Sequence, residues 1–435
     1  MAISSGSALT KAIIVVGVAL VLLIPLALLQ NLVMERVQLR EVAYGQVAQG
    51  WGGAQLLSGP VLALPVTARN DNGQIVTRQW YVLPEAVDIT ADIVVQDEQR
   101  AVGIYEVPVY VAKVRAVAEF DLAKQIAGLL ERDSSAVVHG ENARLLVPVD
   151  DPRGLRDVRV LDSEWTTGQL EPTTGFPTAA LAAPLKGNLS AETGRKKITL
   201  SMQVAGTRSL LFLPLARTTR VAMNGNWPHP GFTRGFLPLE RNVTDEGFKA
   251  RWQLLDINRS FGGAWMAEEV SKETLNASLF GVDLVQPVDL YQRVERAVKY
   301  GALFISLSLL TLFLWERLAG RPLHPIQHAM TGLALSVFYL LLLALSEHVG
   351  YAIAYTIAAT ALCVLLGVYL AGAFRSRRAG ISAGGLFAAV FALLYLLVSS
   401  ESYALLTGSL ALFALLAVAM WLTRSIDWYS QAEGK

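Results

Sequence analysis

Cysteine is nearly absent from this sequence: one of 435 residues, Cys363, and it falls inside an apolar run. The soluble part of the chain therefore has no thiol to pair and must hold itself by its core alone. Charge is also scarce, at 17% of residues against 53% apolar, which is too little for an ordinary soluble chain of this length. A formal net charge of +1, with no basic block longer than a few residues, excludes a nucleic-acid surface built on bulk charge. Nucleotide-binding glycine loops and zinc-binding cysteine sets are missing as well. No cofactor, no metal and no nucleic-acid partner is expected.

The apolar residues are concentrated in one stretch near the N-terminus and in nearly everything after Tyr300. About 20 apolar residues cross a bilayer, and 12–29 with its flanks meets that without an internal charge. No small-x-small cleavage site follows, so the stretch reads as an uncleaved signal anchor, with Pro25 tolerated inside it. Five further spans are expected near 299–316, 326–346, 351–373, 381–399 and 402–422. The lipid bilayer is the one partner these runs require.

Short loops set the orientation. Arg317 and Arg321 lie in one, Arg375, Arg377 and Arg378 in another two spans later, and the alternate loops around Glu347 and Glu401 hold no Lys or Arg. The basic loops are expected in the cytoplasm, and six spans put both termini there. Arg36, Arg40, Arg293, Arg296 and Lys299 flank a long translocated segment and weigh little against this.

The expected division is therefore a cytoplasmic N-terminus (1–11), a first transmembrane helix (12–33), an extracytoplasmic domain (34–297), a five-helix block (298–423) and a cytoplasmic C-terminus (424–435). The inserted domain reads as mainly β. Alternating or β-branched runs occur at 61–66, 74–83, 89–95, 103–120, 143–149, 158–161, 197–213 and 248–255, with an Asn70-Asp71-Asn72-Gly73 turn after the first. One helix is expected at 121–132, capped by Asp121, with Leu122, Ile126, Leu129 and Leu130 on its apolar side. The first span is expected to continue as a helical stalk to Gly52-Gly53, and a second stalk, 289–298, to enter the membrane.

Few motifs carry chemistry. Gly380-Ile381-Ser382-Ala383-Gly384 fits G-x-S-x-G, but a nucleophile elbow needs a strand before the serine. Gly380 and Gly384 instead have the spacing for close helix packing. His324 and His328 are four residues apart without the glutamate of H-E-x-x-H, and read as interfacial residues. Glu347, His348 and Glu401 are expected at the outer ends of different helices. There they would bind a cation, relay a proton or anchor the domain, with solvated loop residues as the plainer account.

Several stretches resemble the CreD family of bacterial inner-membrane, or cell envelope integrity, proteins. They include Met34-Glu35-Arg36, Trp51-Gly52-Gly53-Ala54-Gln55-Leu56-Leu57-Ser58-Gly59-Pro60, Asn226-Trp227-Pro228-His229-Pro230, His324-Pro325-Ile326-Gln327-His328 and Ser346-Glu347-His348-Val349-Gly350. The resemblance covers almost the whole chain. It implies a periplasmic placement for the β domain and a non-enzymatic role in envelope integrity, colicin tolerance and stress response, with a periplasmic or inner-membrane protein partner. It supplies no catalytic or ligand residue, so Arg36, Trp51 and Trp227 stand beside Glu347, His348 and Glu401 as candidates. The alternative is a transporter or lipid-handling protein with a polar entrance at Glu347, His348 and Glu401.

Overall fold

The computed structural model describes residues 8–69, 73–96, 100–161, 171–173, 176–185, 188–232, 235–285, 290–319, 323–399 and isolated positions between 406 and 424. Two compact units result, Met1–Arg40 with Val288–Lys435, and Glu41–Pro287. The α-helices are α1 (Ala8–Val21), α2 (Leu23–Trp51), α3 (Leu122–Arg132), α4 (Lys272–Asn276), α5 (Leu290–Ala319), α6 (Pro325–Val349), α7 (Tyr351–Ala373) and α8 (Arg377–Ser399).

In the first unit, α1 and α2 are separated only at Leu22. Pro25 explains the break, because it has no N–H to offer the Val21 carbonyl and its ring crowds that carbonyl. Among the described residues, five helical segments are long and apolar enough to cross a membrane: Lys11–Trp51, Leu290–Glu316, Pro325–Val349, Tyr351–Ala373 and Arg377–Ser399. The expected sixth, 402–422, lies largely outside the described residues, so the structure carries five of the six.

Small residues let these helices approach. α1 packs on α5 and α6, and α8 returns from α7 to meet α5. A Cβ on Gly332 of α6 would fall 2.1 Å from Leu22 Cδ1, so glycine lets that leucine side chain lie directly against the helix. Between α7 and α8, a Cβ on Gly380 would lie 2.4 Å from Ala371 Cβ, while one on Gly384 would meet the Cys363 carbonyl at 3.4 Å. Close backbone contact of this kind is how membrane helices gain packing energy when lipid is as apolar as leucine. Ser382 sits on α8 and donates to the Arg378 carbonyl at 2.8 Å, so no strand-to-helix elbow presents it.

The second unit is mainly β. A seven-stranded sheet runs in the order 155–160, 195–207, 109–121, 86–95, 218–225, 247–255, 240–244, and a second runs 171–173, 180–184, 144–148, 61–69, 75–82, 264–266, with 137–138 paired to 61–69. A four-stranded sheet (55–57, 209–212, 280–284, 230–231) and a short hairpin (100–102, 105–107) complete it. Strand parity sorts the side chains. Val87, Ile89, Ala91, Ile93 and Val95 point into the core shared with Leu62, Leu64 and Phe212, whereas Asp88, Thr90, Asp92 and Val94 are exposed. Each fully buried aliphatic side chain there contributes on the order of 2 kcal/mol. Residues of opposite parity on the second sheet, Val61, Ala63 and Tyr81, pack into another core with Phe176 and Trp265. That sheet is buried on both faces, which is why its sequence reads as continuous apolar runs.

The expected hairpin forms, with Leu62 opposite Val82 and Arg69 opposite Ile75, and its Asn70-Asp71-Asn72 turn lies outside the described residues. α3 begins as expected, with Asp121 Oδ1 accepting from the Lys124 amide at 3.2 Å. Leu122, Ile126 and Leu129 are buried but Leu130 is 40% exposed, because it lies about 80° around the helix from Leu122 and off the apolar stripe. A second, shorter helix, α4, opens on a Ser271 cap. Several strands have no counterpart in the expected set. The most consequential is 218–225, which pairs parallel with 86–95 near the middle of the large sheet.

Candidate functional site

Ionisable side chains within a membrane bundle are costly and are retained for a reason. Here they gather in two clusters at opposite ends of the first unit. The helical rise puts His328 and Glu347 of α6 about 28 Å apart, close to the thickness of the hydrocarbon.

At one end, Glu316 of α5 is buried, with 2% of its side chain exposed, and its Oε1 accepts from Lys11 Nζ of α1 at 2.5 Å. His328 of α6 is buried beside it. Its Nε2 stands 3.6 Å from Glu316 Oε2, too far for a hydrogen bond, and neither atom has another partner. The two histidines thus part company. His324 caps α6, its Nδ1 accepting from the Ile326 amide at 3.3 Å, whereas His328 lies inside the bundle rather than at an interface. Sequence reasoning missed Glu316. Its signal was a lone carboxylate at the end of an apolar span, with a lysine at the matching end of the first span.

At the other end, Glu347 Oε1 accepts from the Tyr291 hydroxyl of α5 at 3.1 Å and lies 3.7 Å from Arg36 Nε of α2. Arg40 lies over the Tyr291 ring, 5.6 Å from its centroid, and Arg293 over that of Tyr351 at 5.5 Å. Glu347 and Arg36, both singled out from the sequence, therefore meet. His348 is exposed, because it follows Glu347 by about 100° on the helix and faces away. Glu401 lies outside the described residues.

Trp51 and Trp227 belong to the second unit and secure its frame. The Trp51 indole donates to the Tyr110 carbonyl at 3.3 Å. Arg100 and Arg156 lie over its ring at 4.9 and 5.0 Å, and Arg156 Nη2 donates to the Trp51 carbonyl at 3.0 Å. Gly52 follows with φ +127°, and a Cβ there would strike the Ala205 carbonyl oxygen at 2.6 Å. Asp151 accepts from the Gly53 amide at 2.8 Å and from Arg153 Nε at 2.8 Å. Burial alone would raise its pKa, but the bonds from Arg153 and Gly53 outweigh that and hold the carboxyl below its ordinary range. Trp227 donates its indole N–H to the Val285 carbonyl at 3.0 Å. Its neighbour Asn226 serves both backbone groups of Val95, at 2.7 and 3.0 Å.

A groove of about 550 Å³ on this unit is lined by Glu119, Asp121, Lys124, Arg195, Lys197 and Arg217. Most of its charges pair across it: Lys124 and Arg217 with Glu85, Arg195 with Asp121, and Lys197 with Glu119, at 3.2 to 3.4 Å. With Lys196 also on its wall, the groove sets five cations against the three carboxylates Glu85, Glu119 and Asp121, and exposed pairs of this kind contribute little each.

Comparison with known proteins covers both units. Residues 7–429 match the family model described as inner membrane protein CreD. The chain is 31% identical over 436 residues to a protein of Escherichia coli (strain K12) named inner membrane protein CreD, covering 95% of this chain and 92% of that one.

Proposed function

We propose, from the premise that this chain belongs to the CreD family of inner membrane proteins, that it supports cell envelope integrity without catalysing a reaction. Its β unit is held on the periplasmic side, where it meets a periplasmic or inner-membrane protein partner. Both termini lie in the cytoplasm. That orientation is supported by Lys11 and by Arg375, Arg377 and Arg378 in a short loop, and by the even number of crossings reached when 402–422 is counted with the five described.

The observation that carries the anchoring reading is the occupation of Glu347. Its carboxylate is tied to Tyr291 and Arg36, so it joins α2, α5 and α6. A carboxylate lining a transport entrance would instead face an open path, and the exposed His348 does not share its network. The anchoring reading is therefore preferred to the transporter or lipid-handling one.

The test is a host strain lacking the gene, challenged with detergent and with colicin. Detergent sensitivity is expected to rise, colicin response to change, and the full-length chain to restore both. A deletion strain indistinguishable from its parent under both challenges defeats the proposal.

A further inference from the structure

Three buried polar atoms are left over at the end of the bundle where Lys11 meets Glu316. Lys11 takes one oxygen of the carboxylate. The other, Glu316 Oε2, has no hydrogen-bond partner, and neither has Nδ1 or Nε2 of His328. The two side chains are 2% and 3% exposed, so bulk solvent hardly reaches them, and Oε2 stands 3.6 Å from Nε2. Buried polar groups in folded proteins are ordinarily paired, because leaving them unpaired is costly. Here a shift of about 0.8 Å would turn the near contact into a charge-assisted hydrogen bond.

Charge decides when that shift is favourable. Among the described residues, the charged groups acting on the imidazole are Glu316 from α5 and Lys11 from α1, and the last turn of α7, 370–373, adds none. One carboxylate balances one cation, and a second cation sealed beside it would be left uncompensated. The two cations differ in their way out. Lys11 lies in the first helical turns of α1 with 24% of its side chain exposed, and a lysine stem of this kind carries its ammonium readily to water. His328 has no such route. A neutral imidazole carries one N–H, whereas the imidazolium carries two and a positive charge, and the change falls between about pH 5 and 8.

We propose that Lys11 and His328 hold Glu316 in turn, which makes this cluster a proton-driven latch on α1. At neutral pH the Lys11 ammonium holds the carboxylate and His328 is neutral. On acidification His328 takes a proton from solvent and donates from Nε2 to Glu316 Oε2, and Lys11 releases the carboxylate to water. The buried net charge is zero in both states: ammonium with carboxylate before, imidazolium with carboxylate after. The helices joined are different. Lys11 ties α1 to α5, while His328 ties α6 to α5, so α1 loses its polar tie and keeps the packing of α1 on α5 and α6. Only the compartment whose acidity is read, the cytoplasm, rests on the orientation proposed above.

The experiment uses the full-length chain in detergent between pH 8 and pH 5. The melting-temperature gap between the parent and Lys11→Met is expected to be widest at pH 8 and to fall to less than half at pH 5, because His328 then supplies the missing cation. In a His328→Gln background the gap should stay wide throughout. Hydrogen exchange of the α1 amides, corrected for its intrinsic pH dependence, should speed up several-fold in the parent at pH 5 relative to α7. Lys11→Arg keeps the test open if His328→Gln folds poorly: a guanidinium fork engages both carboxylate oxygens, so α1 should stay protected at pH 5. A gap that does not narrow, a gap that narrows equally in His328→Gln and so places the proton on Glu316, or α1 exchange equally fast in the parent and Lys11→Arg each overturns the proposal.

Discussion

The two ends of the helical bundle solve the same problem differently. Glu316 is sealed, with 2% of its side chain exposed, and depends on one short contact to Lys11, with His328 standing off at 3.6 Å. Glu347 is 9% exposed and divides its bonding between an arginine and a tyrosine hydroxyl. Where solvent is excluded, a charge left alone has no substitute partner, and breaking the pair costs far more than the pair contributes relative to an apolar replacement. At the edge, water or lipid headgroups replace a lost partner cheaply. The clusters should therefore respond unequally to the same kind of substitution.

The sharpest way to break the comparison is Lys11→Met. It leaves the Glu316 carboxylate buried with His328 Nε2 still 3.6 Å away, and is expected to destabilise the bundle by about 3–5 kcal/mol. Thermal unfolding of the full-length protein in detergent measures this. The double variant Lys11→Met with Glu316→Leu should recover much of the loss, since an apolar pair of similar volume is often neutral. If Lys11→Met melts with the parent, the inner cluster is not a coupled pair.

Asp151 supplies a carboxylate in a different solvent, in the second unit, with its bonds satisfied by Gly53 and Arg153. Asp151→Ala orphans the Gly53 amide and is expected to cost about 1–3 kcal/mol. Since the folded-state pKa is depressed, the stabilisation is fully present above the unfolded value of about 3.9 and is lost as pH falls below it through the folded value. Urea unfolding of the parent and of Asp151→Asn between pH 7 and pH 3 checks the sign. The gap between them should narrow toward acid, and a gap that widens there contradicts the assignment.

Legibility differed along the same line. Spans, the hairpin and α3 were readable because each has one dominant period or a cap: a long apolar run, alternation about a turn, Asp121 before a helical stripe. Strand 218–225 was not, although Thr219, Val221 and Met223 alternate with Arg220, Ala222 and Asn224. Its alanine, methionine and asparagine have little strand preference, and its place is fixed by the neighbours at 86–95 and 247–255. Strand 280–284 was hidden by Gly281 at φ +149° and by Asp283. Arg36 and Glu347 were legible as polar residues at span ends, but their meeting was not, because they lie 311 residues apart. The lysine and glutamate of the inner cluster, 305 residues apart, are matched in the sequence only by their places at the ends of two apolar spans.

The smallest effect belongs to Glu347→Gln. Glutamine keeps an oxygen for the Tyr291 hydroxyl and loses only the attraction to Arg36 across 3.7 Å, with Arg36 37% exposed and able to find water or a headgroup. A loss of about 1 kcal/mol or less is expected, a shift of a few degrees in the same melting assay that reads Lys11→Met. Changing Tyr291 to Phe as well should add to it, because the side-chain oxygen at 347 then loses the hydroxyl that donates to it. Glu347→Gln together with Glu401→Gln extends the comparison to cells, where an impaired envelope at unchanged protein level is expected from the anchoring reading. A Glu347→Gln penalty as large as that of Lys11→Met would mean that the outer carboxylate is as sealed as the inner one, and the distinction between the two ends would fall.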